Sequence, residues 1–297
     1  MIVVTTPTGN IGSRVLAQVA DGAHPVRVIV RDPGKLPDDL RERVEVEVGS
    51  HGDPAVLDRA FAGADTVFWL PPGNPRAATV DEVYSGFTRP ATEAIRTHGV
   101  RRVVSISALG RGRASSVNAG YVSASLAMDD LIASTGVAFR ALVNPSFMEN
   151  LLRQTETIKN QGVFYDVLPP DYASPTVTTR DIGALAARFL TDPSWSGQEE
   201  VPVLGPQDLT ADEQAAVIGD VLGISVKYQQ VPVSSLRLRL IANGASEAMA
   251  QGMVDMMTAK IENLDHGVRR TPQHAVDTPT TFRQWCEEVL KPAVAKA

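Results

Sequence analysis

An α/β fold built on a doubly wound parallel sheet is what this sequence predicts, and three observations carry the prediction. Strand-like and helix-like segments alternate from Met1 to about Asn144 in units of about 20–30 residues, the spacing of right-handed crossovers between parallel strands. The chain opens with the apolar run Ile2-Val3-Val4-Thr5 and passes through a glycine turn straight into a helical stretch from Ser13 to Ala20. After Asn144 the alternation loosens into loops, short strands and helices, which predicts a second, smaller lobe.

The individual elements follow from local signals. Val26–Val30, Val44–Val48, Thr66–Leu70, Val103–Ser107 and Ala138–Val143 are β-branched runs and read as strands. Pro54–Phe61 reads as a helix with proline in its first turn. A long helix is expected from about Thr79 to His98, and another over Ala119–Ser134. Beyond Asn144, Thr176–Thr178 and Val226–Val231 read as strands, with a strand and turn over Val201–Pro206. Asp181–Leu190 reads as a helix, and Thr210-Ala211-Asp212-Glu213 is close to a capping box that opens a helix to Leu222. Ser235–Asn263 divides into two helices near Asn243-Gly244, and a last helix begins near Thr278.

The turn Thr6-Pro7-Thr8-Gly9-Asn10-Ile11-Gly12 carries the chemistry. A helix start presents unpaired N–H groups and partial positive charge, which suit a pyrophosphate. Gly9 lets the backbone approach phosphate, and Gly12 lets the helix pack on the strand. The first glycine of the usual fingerprint is replaced by Thr6, and an ordinary strand–helix turn is the alternative. With the strand before it and the helix after it, the turn predicts a Rossmann-type dinucleotide-binding core over 1–144. Residues 145–297 are then a smaller substrate-covering lobe with segments returning to the core. The C-terminal strand ends, where ligands lie in such sheets, carry Thr6, Arg31, Leu70-Pro71, Ser107 and Asn144.

The second strand ends Val30-Arg31-Asp32-Pro33-Gly34-Lys35. An acidic residue there reads the ribose of NAD, and arginine reads the 2′-phosphate of NADP. Arg31 with Lys35 points to NADP, and Asp32 keeps NAD open.

Composition sets the remaining bounds. The chain has 297 residues, 43% hydrophobic and 21% charged, with a net charge of −6. That charge argues against nucleic acid as a partner. No run approaches the ~18 apolar residues of a membrane span. The one cysteine, Cys286, excludes an internal disulfide and fits a cytoplasmic protein, and it reads as structural. The five histidines show no metal-ligand spacing. The pattern is compatible with a monomer or a homodimer.

Several stretches resemble the NmrA-like group of atypical short-chain dehydrogenases/reductases and are similar to its NAD(P)H:quinone oxidoreductase type 2 members. They are Thr5–Gly12, Val30-Arg31-Asp32-Pro33, Asn144–Asn150, Thr179-Arg180-Asp181-Ile182 and Leu204-Gly205-Pro206, which cover nearly the whole chain in order. The resemblance implies cofactor contacts from Thr6, Thr8, Gly9, Asn10, Ile11, Arg31, Lys35 and the end of the fourth strand. It also implies either a reductase or a nucleotide-sensing regulator. Short-chain dehydrogenases typically carry Tyr-x-x-x-Lys on the helix after the fifth strand. Here Tyr121 is kept and Ser125 stands in the lysine's place. Tyr121 as proton donor and Ser107 as a carbonyl-polarising group are the catalytic candidates. Without the lysine, Tyr121 stays a weak acid, which suits hydride transfer to a quinone better than alcohol chemistry. Phe147, Met148, Phe164, Tyr165 and Tyr172 are candidates to line a pocket for a planar apolar substrate, with core packing as the alternative for each. The expected function is an NADPH-dependent reductase of a quinone or other conjugated carbonyl compound. The alternative is an NAD(P)-binding redox sensor without turnover.

Overall fold

The computed structural model describes residues 1–297. The strands are β1 (Ile2–Val4), β2 (Val26–Val30), β3 (Glu45–Val48), β4 (Thr66–Trp69), β5 (Arg102–Ala108), β6 (Ala138–Asn144), β7 (Ser146–Phe147), β8 (Val163–Asp166), β9 (Ser174–Val177), β10 (Gln198–Pro202), β11 (Asp208–Leu209) and β12 (Lys227–Gln230). Seven of them form one sheet in the order β3-β2-β1-β4-β5-β6-β10. β1 runs parallel to both β2 and β4, and the pairs β2–β3 and β4–β5 are parallel too. This is the expected Rossmann-type doubly wound sheet with flanking helices. Its strand order reverses between β1 and β4, the place where such sheets bind ligands.

The central strands are buried because their sequences have no polar face. Ile2-Val3-Val4 and Thr66-Val67-Phe68-Trp69 are buried throughout. Thr5 ties the two strands together at the reversal point. Its backbone N–H and its hydroxyl both donate to the Phe68 carbonyl, at 3.2 and 2.9 Å, and the hydroxyl accepts from Leu70 N–H at 3.0 Å. At the edge, β3 alternates Glu and Val, which keeps a charged row on an open strand.

The chain divides into two compact units, and neither is continuous. The first comprises Met1–Ala108, Ala124–Val143 and Ile182–Val201, and the second Leu109–Ser123, Asn144–Asp181 and Pro202–Ala297. The first holds the seven-stranded sheet. The second holds the small sheet β11-β9-β7 and the parallel pair β12–β8. Its core gathers Met148, Ile158, Phe164, Ile218, Phe282 and Trp285 around Cys286. Burial pushes the Cys286 thiol up to about 12, so it is an inert packing group.

Most expected elements are present within a residue or two. The helix expected from Thr79 spans 80–98 and carries a π-helical segment at Glu82–Gly86 before Phe87–His98. Pro90 lies one turn further on and has no N–H to give, so wider turns upstream suit it. Thr210 and Glu213 form the full capping box, and the helical hairpin breaks between Ala242 and Glu247. The last helical run starts at Phe282, capped by Thr281, later than expected, because Pro272–Asp277 forms its own short helix first. β8 has no counterpart in the sequence reading, since it exists only by pairing with distant β12. No helix is long and apolar enough to cross a membrane.

Candidate functional site

A cavity of about 1170 Å³ lies in the first unit at the C-terminal ends of β1 to β4. Four chain segments build its floor: Thr6–Gly9, Ile29–Arg31, Gly49–Asp53 and Leu70–Asn74, with Glu82, Val83, Gly86 and Phe87 as a side wall. The π-helical segment therefore borders the cavity. Of the expected cofactor residues, Thr6, Thr8, Gly9, Arg31, Leu70 and Pro71 line it. Asn10 is exposed beside it, and Ile11 and Gly12 are buried where the turn enters the helix Gly12–Val19. Lys35 closes a short 3-10 turn after β2, is exposed, and is not part of the lining. Asn144 is buried at the end of β6 in the second unit, where its carbonyl accepts from Leu109 N–H at 3.2 Å.

Three observations fit this cavity to a dinucleotide. No side chain caps the helix Gly12–Val19. Ser13, Arg14 and Val15 N–H donate to the Gly9 and Ile11 carbonyls, and no carboxylate offsets the partial positive charge of the helix start beside the turn that lines the cavity. A side chain at Gly12 would put its Cβ 2.0 Å from the Thr6 carbonyl oxygen, whereas at Gly9 the nearest atom would be an ordinary 3.4 Å away. The fold thus requires Gly12, while the space beside Gly9 stays open for a ligand. Thr6 has φ of 48°, a left-handed conformation that β-branched residues avoid, and its buried hydroxyl has no partner in the protein. Strain and an unmet hydroxyl at one residue mark a place made for binding.

Arg31 is exposed at the end of β2 and makes no ion pair. The neighbouring Asp32 carboxylate accepts from Gly34 N–H at 3.1 Å and so caps its own turn.

The catalytic candidates are placed differently. The Tyr121 hydroxyl donates to the Met249 carbonyl at 2.8 Å, and burial raises its pKa above the usual phenol value. The Ser107 hydroxyl is buried and donates to Asp129, which also accepts from Ser105 at 3.3 Å, and Ser125 lies 3.2 Å from Ser107. Ser107 and Ser125 are thus parts of an internal cluster organised by Asp129, which is 2% exposed. Sequence reasoning passed over Asp129, although Tyr121, Ser125 and Asp129 follow at i, i+4 spacing on one helix face. Met148 and Phe164 are core residues of the second unit. Phe147 lies in β7, the Tyr165 backbone N–H donates to Gln154 Oε1 and its carbonyl accepts from Gln154 Nε2, and the Tyr172 hydroxyl donates to Lys260 O at 2.7 Å.

The later motifs behind the resemblance clip the second unit together. Glu149 accepts from the backbone and hydroxyl of Thr179, at 3.0 and 2.8 Å. Asp181 accepts from the backbone and hydroxyl of Thr280, at 2.9 and 2.7 Å. Gly205 N–H donates to Thr278 at 3.0 Å.

Comparison with known proteins agrees with this geometry. A family model described as NAD(P)H-binding matches residues 7–193. The chain is 28% identical to the NAD(P)H azoreductase of Xenophilus azovorans, over 97% of each chain. It is 30% identical to the (4-alkanoyl-5-oxo-2,5-dihydrofuran-3-yl)methyl phosphate reductase of Streptomyces griseus, again over 97% of each. The NADPH-dependent quinone oxidoreductase of Escherichia coli, solved with NADPH, shares the fold at a TM-score of 0.78 and 21% identity, over 97% of this chain and 99% of that one. With the glycine turn, the strand order and these relatives together, this chain belongs to the NAD(P)H-binding family.

Proposed function

We propose that the protein is an NADPH-dependent reductase of a quinone or another planar, conjugated carbonyl compound. The observation that carries the cofactor preference is Arg31: a guanidinium without a counter-ion at the rim of the cavity, beside an aspartate already used by its own turn. Arg31 would hold the 2′-phosphate in a bidentate grip, and the Thr6–Gly12 turn the pyrophosphate. The cofactor, when bound, supplies a hydride. The chain's own part is to hold it and to leave proton delivery undemanding, because Tyr121 is committed to Met249 and no lysine tunes it. Quinones and conjugated carbonyls tolerate that better than isolated ketones do. The relatives support the same class: one is named for azo reduction and one for a carbonyl-bearing dihydrofuran.

The test is to mix the purified protein with NADPH or NADH and a panel of quinones, an azo dye and a simple ketone, and to follow the loss of reduced-nicotinamide absorbance. Oxidation of NADPH with the quinones but not with the ketone is expected. Arg31→Ala should weaken NADPH binding by about 1.5–3 kcal/mol and leave NADH binding nearly unchanged. Equal losses for both cofactors would remove Arg31 from the phosphate site. The same engagement of Tyr121 also favours a second reading, a redox sensor that binds NAD(P) without turnover. Tight NADPH binding with no oxidation by any substrate would select it.

A further inference from the structure

One polar side chain in the cavity has a ring nitrogen with no partner in the protein. His51 follows β3 and is 7% exposed. Its Nε2 lies 3.0 Å from the Leu70 carbonyl oxygen. A carbonyl only accepts, so Nε2 carries the ring proton and Nδ1 carries a lone pair. Trp69 and Phe87 hold the ring edge-on, with centroids 5.3 and 4.9 Å away. Burial, with Arg31 close by, keeps the ring's pKa near 4, so it is neutral at physiological pH. Nδ1 has no hydrogen-bond partner and is not sealed from solvent. Because the ring is so deeply buried and His51 lines the cavity, that lone pair opens on the cavity.

The strand order says which part of a dinucleotide comes there. The pyrophosphate belongs to the turn after β1 and the adenosine ribose to the end of β2. The base then lies beyond the ribose, where Gly49–Asp53 after β3 closes the cavity. A fixed lone pair at that position requires an N–H donor. Adenine presents one at its exocyclic amino group, and hypoxanthine, of the same shape, presents a carbonyl oxygen instead. We propose that His51 is the residue that reads the cofactor's base, its Nδ1 accepting a hydrogen bond from the adenine amino group. The assignment rests on the cofactor site described above.

The test is calorimetric titration of the full chain, without substrate, using NADPH and its hypoxanthine analogue. The unaltered protein should bind NADPH about tenfold more tightly, because the analogue sets lone pair against lone pair. His51→Phe keeps the ring packing and should bring the ratio near one. His51→Gln, which can donate to Leu70 and still accept from the base, should restore it. The nitrogen NMR resonance of His51 Nδ1 gives a reading that needs no variant: it should move on addition of NADPH and stay in place with the analogue. Equal affinities in the unaltered protein, a preference that survives His51→Phe, or an Nδ1 resonance indifferent to NADPH overturns the proposal. If neither dinucleotide binds, the cofactor site itself is wrong and this assignment falls with it.

Discussion

Thr6 stands where a glycine would relieve strain, and it keeps a buried hydroxyl without a partner. A left-handed conformation costs a β-branched residue roughly 1–2 kcal/mol, and an unmet hydroxyl adds to that. Thr6→Gly should therefore raise the stability of the cofactor-free protein by about 1 kcal/mol, after the extra freedom of glycine in the unfolded chain is counted. The same change should shrink the rise in melting temperature that NADPH produces, because the hydroxyl is then missing from the bound state. Thermal melts with and without NADPH check both. A less stable variant, or an undiminished NADPH effect, would mean that Thr6 is neither strained nor used. At this scale the sequence was informative where chemistry is local. Thr6 showed itself as a departure from a glycine pattern, and Arg31 as a cation at a strand end. His51 and Asp129 stayed hidden, because one is defined by the Leu70 carbonyl and the other by Ser105 and Ser107, partners that no spacing announces.

The turn between β1 and the helix Gly12–Val19 separates two uses of glycine. At Gly12 an added methyl would meet backbone at 2.0 Å, and at Gly9 it would meet nothing closer than 3.4 Å. Gly12→Ala should destabilise the protein by at least about 3 kcal/mol, since the obstruction is main chain and cannot turn aside. Gly9→Val should leave stability within about 1 kcal/mol of the unaltered protein and abolish NADPH binding, because the branched side chain fills the space kept for phosphate. Denaturant melts and dinucleotide titrations on the pair distinguish them; a folded Gly9→Val that still binds NADPH would move the phosphate site elsewhere. Elements with their own periodicity and caps were legible from sequence, among them Pro54–Phe61 and the capping box at Thr210. The π-helical segment and β8 were not. The first is a deviation within a helical pattern, and the second comes from pairing across more than sixty residues.

For the whole molecule, the decisive fact is the path of the chain. The second unit takes two of its three segments, Leu109–Ser123 and Asn144–Asp181, from the middle of the first. Cutting the exposed stretch around Arg111-Gly112 should thus lower stability without dispersing the fold. The chain-entropy estimate for closing a loop of about 15 residues gives a loss of about 3 kcal/mol. Inserting a protease site there and comparing denaturant midpoints before and after cleavage measures it. An unchanged midpoint would show that the closed loop contributes nothing. The sequence reading has segments of 145–297 returning to the core without saying which, and Leu109–Ser123, which leaves the first unit before Asn144, has no signal there.

The interrupted path does for this protein what cross-links do elsewhere. While the sheet is folded, both inner segments have their ends anchored, and neither can explore the conformations of a free tail. The sheet acts as a set of clamps on chain that belongs to another core. A protein whose single cysteine is buried and unreactive thereby keeps, from topology alone, local openings of its second core on a short leash for as long as the sheet stays folded.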